Sequence, residues 1–357
     1  MKNSLIAIAA VLACAGAAHA QSNVQLTGLV DMYAGSLKAP GADRTGVVGS
    51  GGLTTSWWGI KGTEDLGGGL KADFNLTAFF RADTGTPGRY DLAFGETFFA
   101  RDANVGLSGS FGRVGLGRGM APNFLPTILS NPFGDSFVVS PLVLHANMKT
   151  TNWGDNQLTT GTDTGWSNQI VYTTPSFGGL TANVHYQFGE NPKDTSGQVQ
   201  RGKKNVGANV LYGAGPLNLA AFYERVQVAK PTGDQSQDTK TDWMLGGSYN
   251  FNVVKLYGTY GQAKVKAQTL PVDIKNTTYS LGLDVPVTGT AGTFKAAAAH
   301  TKSEAGLDER KRTTYTLGYD HFLSKRTDVY GAVMYDRVKW IDTKSGTSVA
   351  VGIRHRF

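Results

Sequence analysis

Cysteine is almost missing: the 357 residues hold one, Cys14. Disulfides therefore cannot staple the chain, and no cysteine-based zinc site is available. Charge is sparse as well, at 17% of residues, whereas aromatics reach 10% and glycine 47 residues. A disordered chain would carry more charge and fewer aromatics. No run of about 18 apolar residues follows the N-terminus, which excludes a helical membrane protein. Helical spacing of apolar residues is not sustained anywhere. The basic excess, 34 residues against 27 acidic, is spread along the chain, unlike the concentrated patch of a nucleic-acid-binding protein.

Catalytic signals are equally thin. His145, His185, His300, His321 and His355 stand singly, without the serine or acidic neighbours of a hydrolase and without metal-ligand spacing. His185 reads as a wall residue. The stretches DLGGGL and GLGRGM look like phosphate loops but lack a strand–loop–helix setting. Asp308 and Glu309 lack the spacing of a calcium loop. No enzyme, cofactor or metal is expected.

The opening MKNSLIAIAAVLACAGAAHA has the three parts of a secretory leader. Lys2 is the positive region, Leu5 to Leu12 the short apolar region, and Ala18-His19-Ala20 a small-residue cleavage site. Residues 1–20 are thus expected to be removed, leaving one domain over 21–357. Val11-Leu12-Ala13-Cys14 could serve as a lipidation box, although an intact cleavage site follows it.

What is present is alternation. In SVAVGIRHRF the residues Val349, Val351, Ile353, His355 and Phe357 fall on one side, and Ser348, Ala350, Gly352, Arg354 and Arg356 on the other. LTANVHYQF places Leu180, Val184, Tyr186 and Phe188 opposite Thr181, Asn183, His185 and Gln187. DWMLGGSYNF, TYSLGLDV and TYTLGYDH follow the same scheme. Period two with aromatic and β-branched enrichment marks strands. Short connections (GTEDLGGG, SGSFGR, TPSFGG, GAGP, NFN, VPVTGTAG, LSKR) alternate with long polar ones near 36–53, 82–96, 119–166, 190–202, 229–240, 265–274, 303–310 and 341–346. That predicts sixteen strands, seven short turns and eight long loops: an all-β, antiparallel up-and-down barrel. A soluble sandwich also alternates, but its strands are shorter. Strands of about ten residues with aromatic ends suit a bilayer, in which a sheet has to close.

The chain resembles the trimeric general porins of β-proteobacterial outer membranes. VQLTGLVDMY, GIKGTEDLGGGLKADF, ANVGLSGSFGRVGLGR, NPFGD, YTTPSFGGLTANVHYQFGE, LSKRTDVYGAVMYD and the terminal VGIRHRF carry the resemblance in this order. It implies a 16-stranded transmembrane barrel in the Gram-negative outer membrane, a homotrimer, and passive diffusion of small hydrophilic solutes and ions. It implies contact with outer-membrane lipid and lipopolysaccharide. It also implies delivery by the barrel assembly machinery, with Phe357 part of the assembly signal. The third long loop, 119–166, would fold into the lumen as the constriction. Its apolar side chains, among them Phe124, Phe133 and Phe137, would pack against the inner wall.

The resemblance also places the eyelet. Arg101 matches a wall arginine. It shares parity with Ala103 and Val105, which puts those residues on the lumen side and Asp102 and Asn104 outward, toward a subunit contact. Trp57, in Ser56-Trp57-Trp58-Gly59, stands where the family has another arginine. It is expected to pack against the third loop, with Lys61 adding charge lower down. Asp135 is the only acid in 119–148. Arg118 points outward by parity or reaches the lumen from the end of the wall. Arg81 reads as solvated. Asp31, Arg354 and Arg356 read as ordinary water-facing lumen charges. Sparse loop acid and net charge +7 predict a mild anion preference. Alternatives are a substrate-specific channel using Trp57 and the loop aromatics as a slide for sugars or organic acids, and an adhesin or receptor acting through long loops.

Overall fold

The two faces of each strand differ in the sense opposite to that of a soluble sheet. Leu281 (71% exposed), Leu317 (66%) and Val351 (58%) project outward, while their strand neighbours Ser280, Thr316 and Ala350 are buried. Apolar side chains outside and hydrogen-bonding ones inside is the arrangement hydrocarbon requires.

The computed structural model describes residues 23–89, 96–146, 164–190, 204–229, 237–266 and 273–357. The expected leader, and much of the loops near 190–202, 229–240 and 265–274, lie outside them. The first strands are β1 (Asn23–Leu37), β2 (Thr45–Ser50), β3 (Trp57–Gly67), β4 (Leu70–Phe79), β5 (Asp102–Gly109) and β6 (Gly112–Met120). Two short helices follow, α1 (Phe124–Leu129) and α2 (Pro141–His145). Then come β7 (Gly165–Thr173), β8 (Leu180–Gln187), β9 (Asn205–Ala214), β10 (Leu217–Ala229) and β11 (Gln237–Asn250). The last six are β12 (Lys255–Lys266), β13 (Ile274–Pro286), β14 (Gly292–Ala305), β15 (Asp308–Phe322), β16 (Thr327–Lys339) and β17 (Thr343–Arg356).

From β3 onward each strand pairs antiparallel with the next, β1 pairs with both β2 and β3, and β17 closes on β1 from Leu29↔Arg356 to Ser36↔Val349. The terminal residue joins the seam. Phe357 N–H donates to Gly28 O and accepts the reverse bond, both at 3.0 Å. Its ring lies where a Cβ on residue 28 would stand, so that position needs glycine. The first and last strands thus close the sheet on itself.

Seventeen strands make sixteen staves because β2 and β3 share one. The upper half of β1 pairs with β2 and the lower half with β3. Residues 36–53, expected as a loop, are therefore mostly a hairpin. Its polar sequence hid a pairing made with β1. Where the shared stave breaks, Asp31 replaces the missing ladder. Its carboxylate accepts N–H bonds from Gly52 (3.1 Å), Leu53 (2.8 Å) and Thr54 (2.8 Å), and the hydroxyl of Tyr330. Its own N–H donates to Ser56 Oγ at 3.0 Å. Asp31 is fully buried, so the expectation of a water-facing charge is corrected: it is a structural hub.

The expected loops 303–310 and 341–346 are also corrected. β14 and β15 continue to a turn at Gly306-Leu307, and β16 and β17 to a turn over 340–342. Lys and Glu on these upper strand ends resembled loop composition because they stand above the apolar belt, where polar residues face outward without penalty.

Candidate functional site

The third loop starts at Ala121, where β6 ends, and is bound to the inner wall along its described length. Asn209 Nδ2 donates to Pro122 O (3.0 Å), and Asn123 Nδ2 to Glu224 Oε1 (3.1 Å). Ser130, Pro132 and Phe133 rest where Cβ atoms on Gly246, Gly282 and Gly318 would be, in β11, β13 and β15. Alternate strands thus offer a glycine groove that lets the loop sit close to the sheet. Ser136 Oγ donates to Gly52 O (2.6 Å), and Thr316 Oγ1 to Val139 O (2.8 Å).

Phe133, 3% exposed, anchors an apolar cluster of Tyr33, Leu53, Val139, Tyr330, Ala332 and Ala350. Phe124 and Phe137 are half-buried. Ser140 caps α2 and Pro141 opens it. Arg312 fastens its end, giving Nη1 to Leu144 O (2.8 Å) while paired to Asp336 at 2.7 Å. His145 lies between Thr301 Oγ1 (2.9 Å) and Thr314 Oγ1 (2.7 Å). Burial, with Arg312 nearby, holds its imidazole well below the usual range, so it stays neutral.

With the described part of the loop held against β9–β16, open space among the described residues lies along β4–β9. There a cavity of about 310 Å³ is bordered by Asn75, Asp102, Asn104, Gln169, Asn183 and His185, by three arginines, and by Leu125 of the loop. Arg101 Nη1 meets Asp102 Oδ2 at 2.6 Å, and Asp102 also accepts from Thr77 Oγ1 at 2.7 Å. The Arg101 guanidinium lies 4.0 Å over the Trp57 ring. Arg113 is paired to Asp73 at 2.5 Å and donates to Asn104 Oδ1 at 3.1 Å. Arg118 borders the same cavity and donates to Ala100 O (2.5 Å) and Ser167 Oγ (2.9 Å).

Several expectations change here. Val105, 55% exposed, faces outward, while Asp102 and Asn104 line the cavity. The parity carried from Arg101 was wrong because Arg101 precedes β5 and curls over Trp57 instead of continuing the alternation. The outward Asp102 and Asn104 that suggested a subunit contact do not exist. Among the described residues the contact found for Trp57 is with the Arg101 guanidinium. Phe133 is buried and so closed to a passing solute, while Trp57, Phe124 and Phe137 stay partly exposed. Arg81 is ion-paired to Asp83 at 2.6 Å. Glu309 is held by Lys302 and Lys311, and no acidic or histidine cluster suited to a metal occurs among the described residues.

Lys61 is exposed on the stave facing Gln25 and Asn75, in register with both. It is not brought to Arg101. Asp135 faces the wall. The Thr54 hydroxyl accepts from Arg354 Nη1 at 2.8 Å and hydrogen-bonds the Asp135 carboxyl. Crowding by protein atoms pushes that carboxyl up to about 6, against the pull of Thr54, Arg354 and Arg101. Residues 147–163 of the loop lie outside the described residues.

Arg113 escaped sequence reading, yet a signal was there. It shares parity with Gly115, and its guanidinium lies where Cβ atoms on Gly106 and Gly115 would stand. Glycines beside a strand arginine leave room for it to lie flat on the wall.

The family model described as Gram-negative porin matches residues 7–340. Outer membrane porin protein 32 of Delftia acidovorans is 37% identical over the whole of both chains. An outer membrane porin protein of Bordetella pertussis is 32% identical, again over both full lengths. An anion-selective porin from Comamonas acidovorans superposes with a TM-score of 0.76 at 31% identity, covering 94% of this chain and all of that one. OmpT of Vibrio cholerae, at 14% identity and a TM-score of 0.69, shares the fold.

Proposed function

The chain belongs to the Gram-negative porin family, and from that premise we propose an outer-membrane diffusion channel whose selectivity is set on the β4–β9 side of the lumen, with a mild preference for anions. Passage is passive: the lumen is polar, the third loop narrows it, and nothing in the site calls for a covalent step. The observation that carries the reading is the docked loop opposite a wall of three arginines. Arg101 and Arg113 are each matched by one carboxylate. The described lining of the cavity carries three arginines and one carboxylate, Asp102, so positive charge exceeds negative among those lining residues. Asp135, the one acid of residues 119–148, gives half its charge away near pH 6. The anion selectivity in the description of the Comamonas relative points the same way.

On family grounds the assembly is a homotrimer embedded in outer-membrane lipid and lipopolysaccharide. The leader is removed after Ala20, and Phe357, exposed at the closing seam, is read by the barrel assembly machinery. The test is the reversal potential of single channels in a potassium chloride gradient. A potential of the sign set by chloride supports the reading, and one set by potassium overturns it.

A further inference from the structure

The third loop is held at its neck as well as along its body. It leaves β6 at Ala121 and returns to β7 after Thr164, and the two ends are tied directly: Ala121 N–H donates to Thr164 O at 2.9 Å. Both residues are buried. What fastens this neck comes from outside the loop.

The first clamp belongs to the second long connection, between β4 and β5. Phe80 bridges to Pro87, and Gly88 N–H donates to Phe79 O at 2.9 Å, so residues 80–88 fold back on the end of β4. That turn delivers Arg89 to the neck. Its guanidinium stands over the Phe79 ring at 4.8 Å, and its side chain is only 3% exposed. Nε meets Glu96 Oε1 at 2.9 Å, Nη2 joins the same carboxylate, and Nη1 donates to Thr164 Oγ1 at 2.7 Å. The backbone N–H of Arg89 adds a bond to Glu96 Oε2 at 2.8 Å. One planar fork thus holds a carboxylate of its own connection on one edge and the end of the third loop on the other. A lysine ammonium has no such geometry.

The second clamp is Arg118. The register shifts between Gly117↔Gln169 and Gly119↔Trp166, so β7 sets two residues, Ser167 and Asn168, against Arg118 alone. Asn168 takes a φ of 52° to make this bulge. Arg118 Nη1 donates to Ser167 Oγ at 2.9 Å, while Nε holds Ala100 O, where the second connection ends. Each arginine therefore ties the second connection to the return of the third loop.

We infer that Arg89 is a positioning residue for the constriction. Through Thr164 the second connection fixes where the third loop re-enters the wall. Arg118 also lines the arginine-rich cavity, so the neck and the selective wall are set together. The charge of Arg89 is matched by Glu96, and it acts by geometry instead of by its field. This assignment rests on the channel reading above and adds a second loop to what shapes the passage.

The test compares Arg89→Lys, Thr164→Val and the double variant with the wild-type barrel. Hydrogen exchange at the Ala121 amide reads the neck without reference to conductance, and open-channel noise reads the constriction. Each single variant should exchange Ala121 about tenfold faster, the weight of one charge-assisted hydrogen bond, and should raise the noise. The temperature at which the barrel loses its folded gel mobility should not change. The double variant should be no worse than Arg89→Lys, because both substitutions remove the same contact. Thr164→Val keeps the Arg89–Glu96 pair and carries the test should Arg89→Lys fail to fold. Wild-type exchange in folded Thr164→Val, or additive effects in the double variant, overturns the proposal. So does a folded Arg89→Lys that matches wild type, which leaves the arginine only its charge. Faster exchange with unchanged noise overturns its role in the constriction. Were the wild type to pass no ions, the channel reading would fall, and the exchange rates would still decide the clamp.

Discussion

Phe133→Ala tests whether packing, rather than the hydrogen bonds, keeps the third loop off the free side of the lumen. The ring is buried among Tyr33, Leu53, Val139 and Tyr330, and lies over Gly318, which has no side chain to move into the gap. Collapse is therefore limited, and the cost belongs in the range of about 3–5 kcal/mol found for removing a well-packed phenylalanine. The anchors on both sides survive: Ser136 to Gly52, Asn131 to its own turn, and Thr316 to Val139. Most of the loss should fall on the 131–139 segment and leave the barrel intact. About 3 kcal/mol changes the docked-to-undocked ratio more than a hundredfold. The assay is single-channel recording with barrel folding checked by heat-dependent gel mobility. The expected record is a folded channel that flickers among conductance levels where the wild type holds one. A folded variant with wild-type conductance and noise would refute the idea that this cluster positions the loop.

Three further outcomes follow from the same geometry. Asp135 has a carboxyl raised from 3.8 to about 6 when the loop is docked; docking therefore favours the protonated acid, fully below about pH 3.8 and progressively less as pH rises through about 6. Wild-type channels should be quieter and more anion-preferring at pH 5 than at pH 7.5, and Asp135→Asn should remove that step; an equal step in the variant would contradict it. Arg101→Ala uncovers Trp57 and strips Asp102 of its cation, and a unit charge lost at about 4 Å in water is worth about 1 kcal/mol. Chloride-over-potassium permeability should fall by up to about fivefold, read from reversal potentials; no fall would remove Arg101 from the selectivity wall. Asp31→Ala leaves three N–H groups and the Tyr330 hydroxyl without their acceptor, at a cost of about 3–5 kcal/mol by analogy with breaking a buried charged pair. The temperature at which the barrel loses its folded gel mobility should drop, with Asp31→Asn falling less because it keeps an acceptor.

Strand parity was readable wherever a strand alternates without interruption. Leu281, Leu317 and Val351 were outward in the sequence and are outward in the barrel, because a one-residue slip would reverse every side chain. It failed at Arg101, where the alternation had been extended backward across a strand start. The polar upper ends of β14–β17 were taken for loops because composition cannot tell a solvated strand from a coil. The hairpin within 36–53 and the role of Asp31 were invisible for another reason. Both depend on partners brought together by barrel closure, such as Tyr330, which is 299 positions from Asp31. The third loop was identifiable by length and apolar content. Which half of the lumen it would occupy was set by Gly246, Gly282 and Gly318 on distant strands, and only the folded barrel aligns them.

The central claim is that this apolar-walled barrel encloses a continuous water path through a lipid bilayer. Adding the purified protein to a planar lipid bilayer measures that directly. The account predicts discrete, ohmic conductance steps whose size scales with the conductivity of the bathing salt. A membrane that incorporates the protein and shows no such steps, or steps that saturate at low salt, would contradict it.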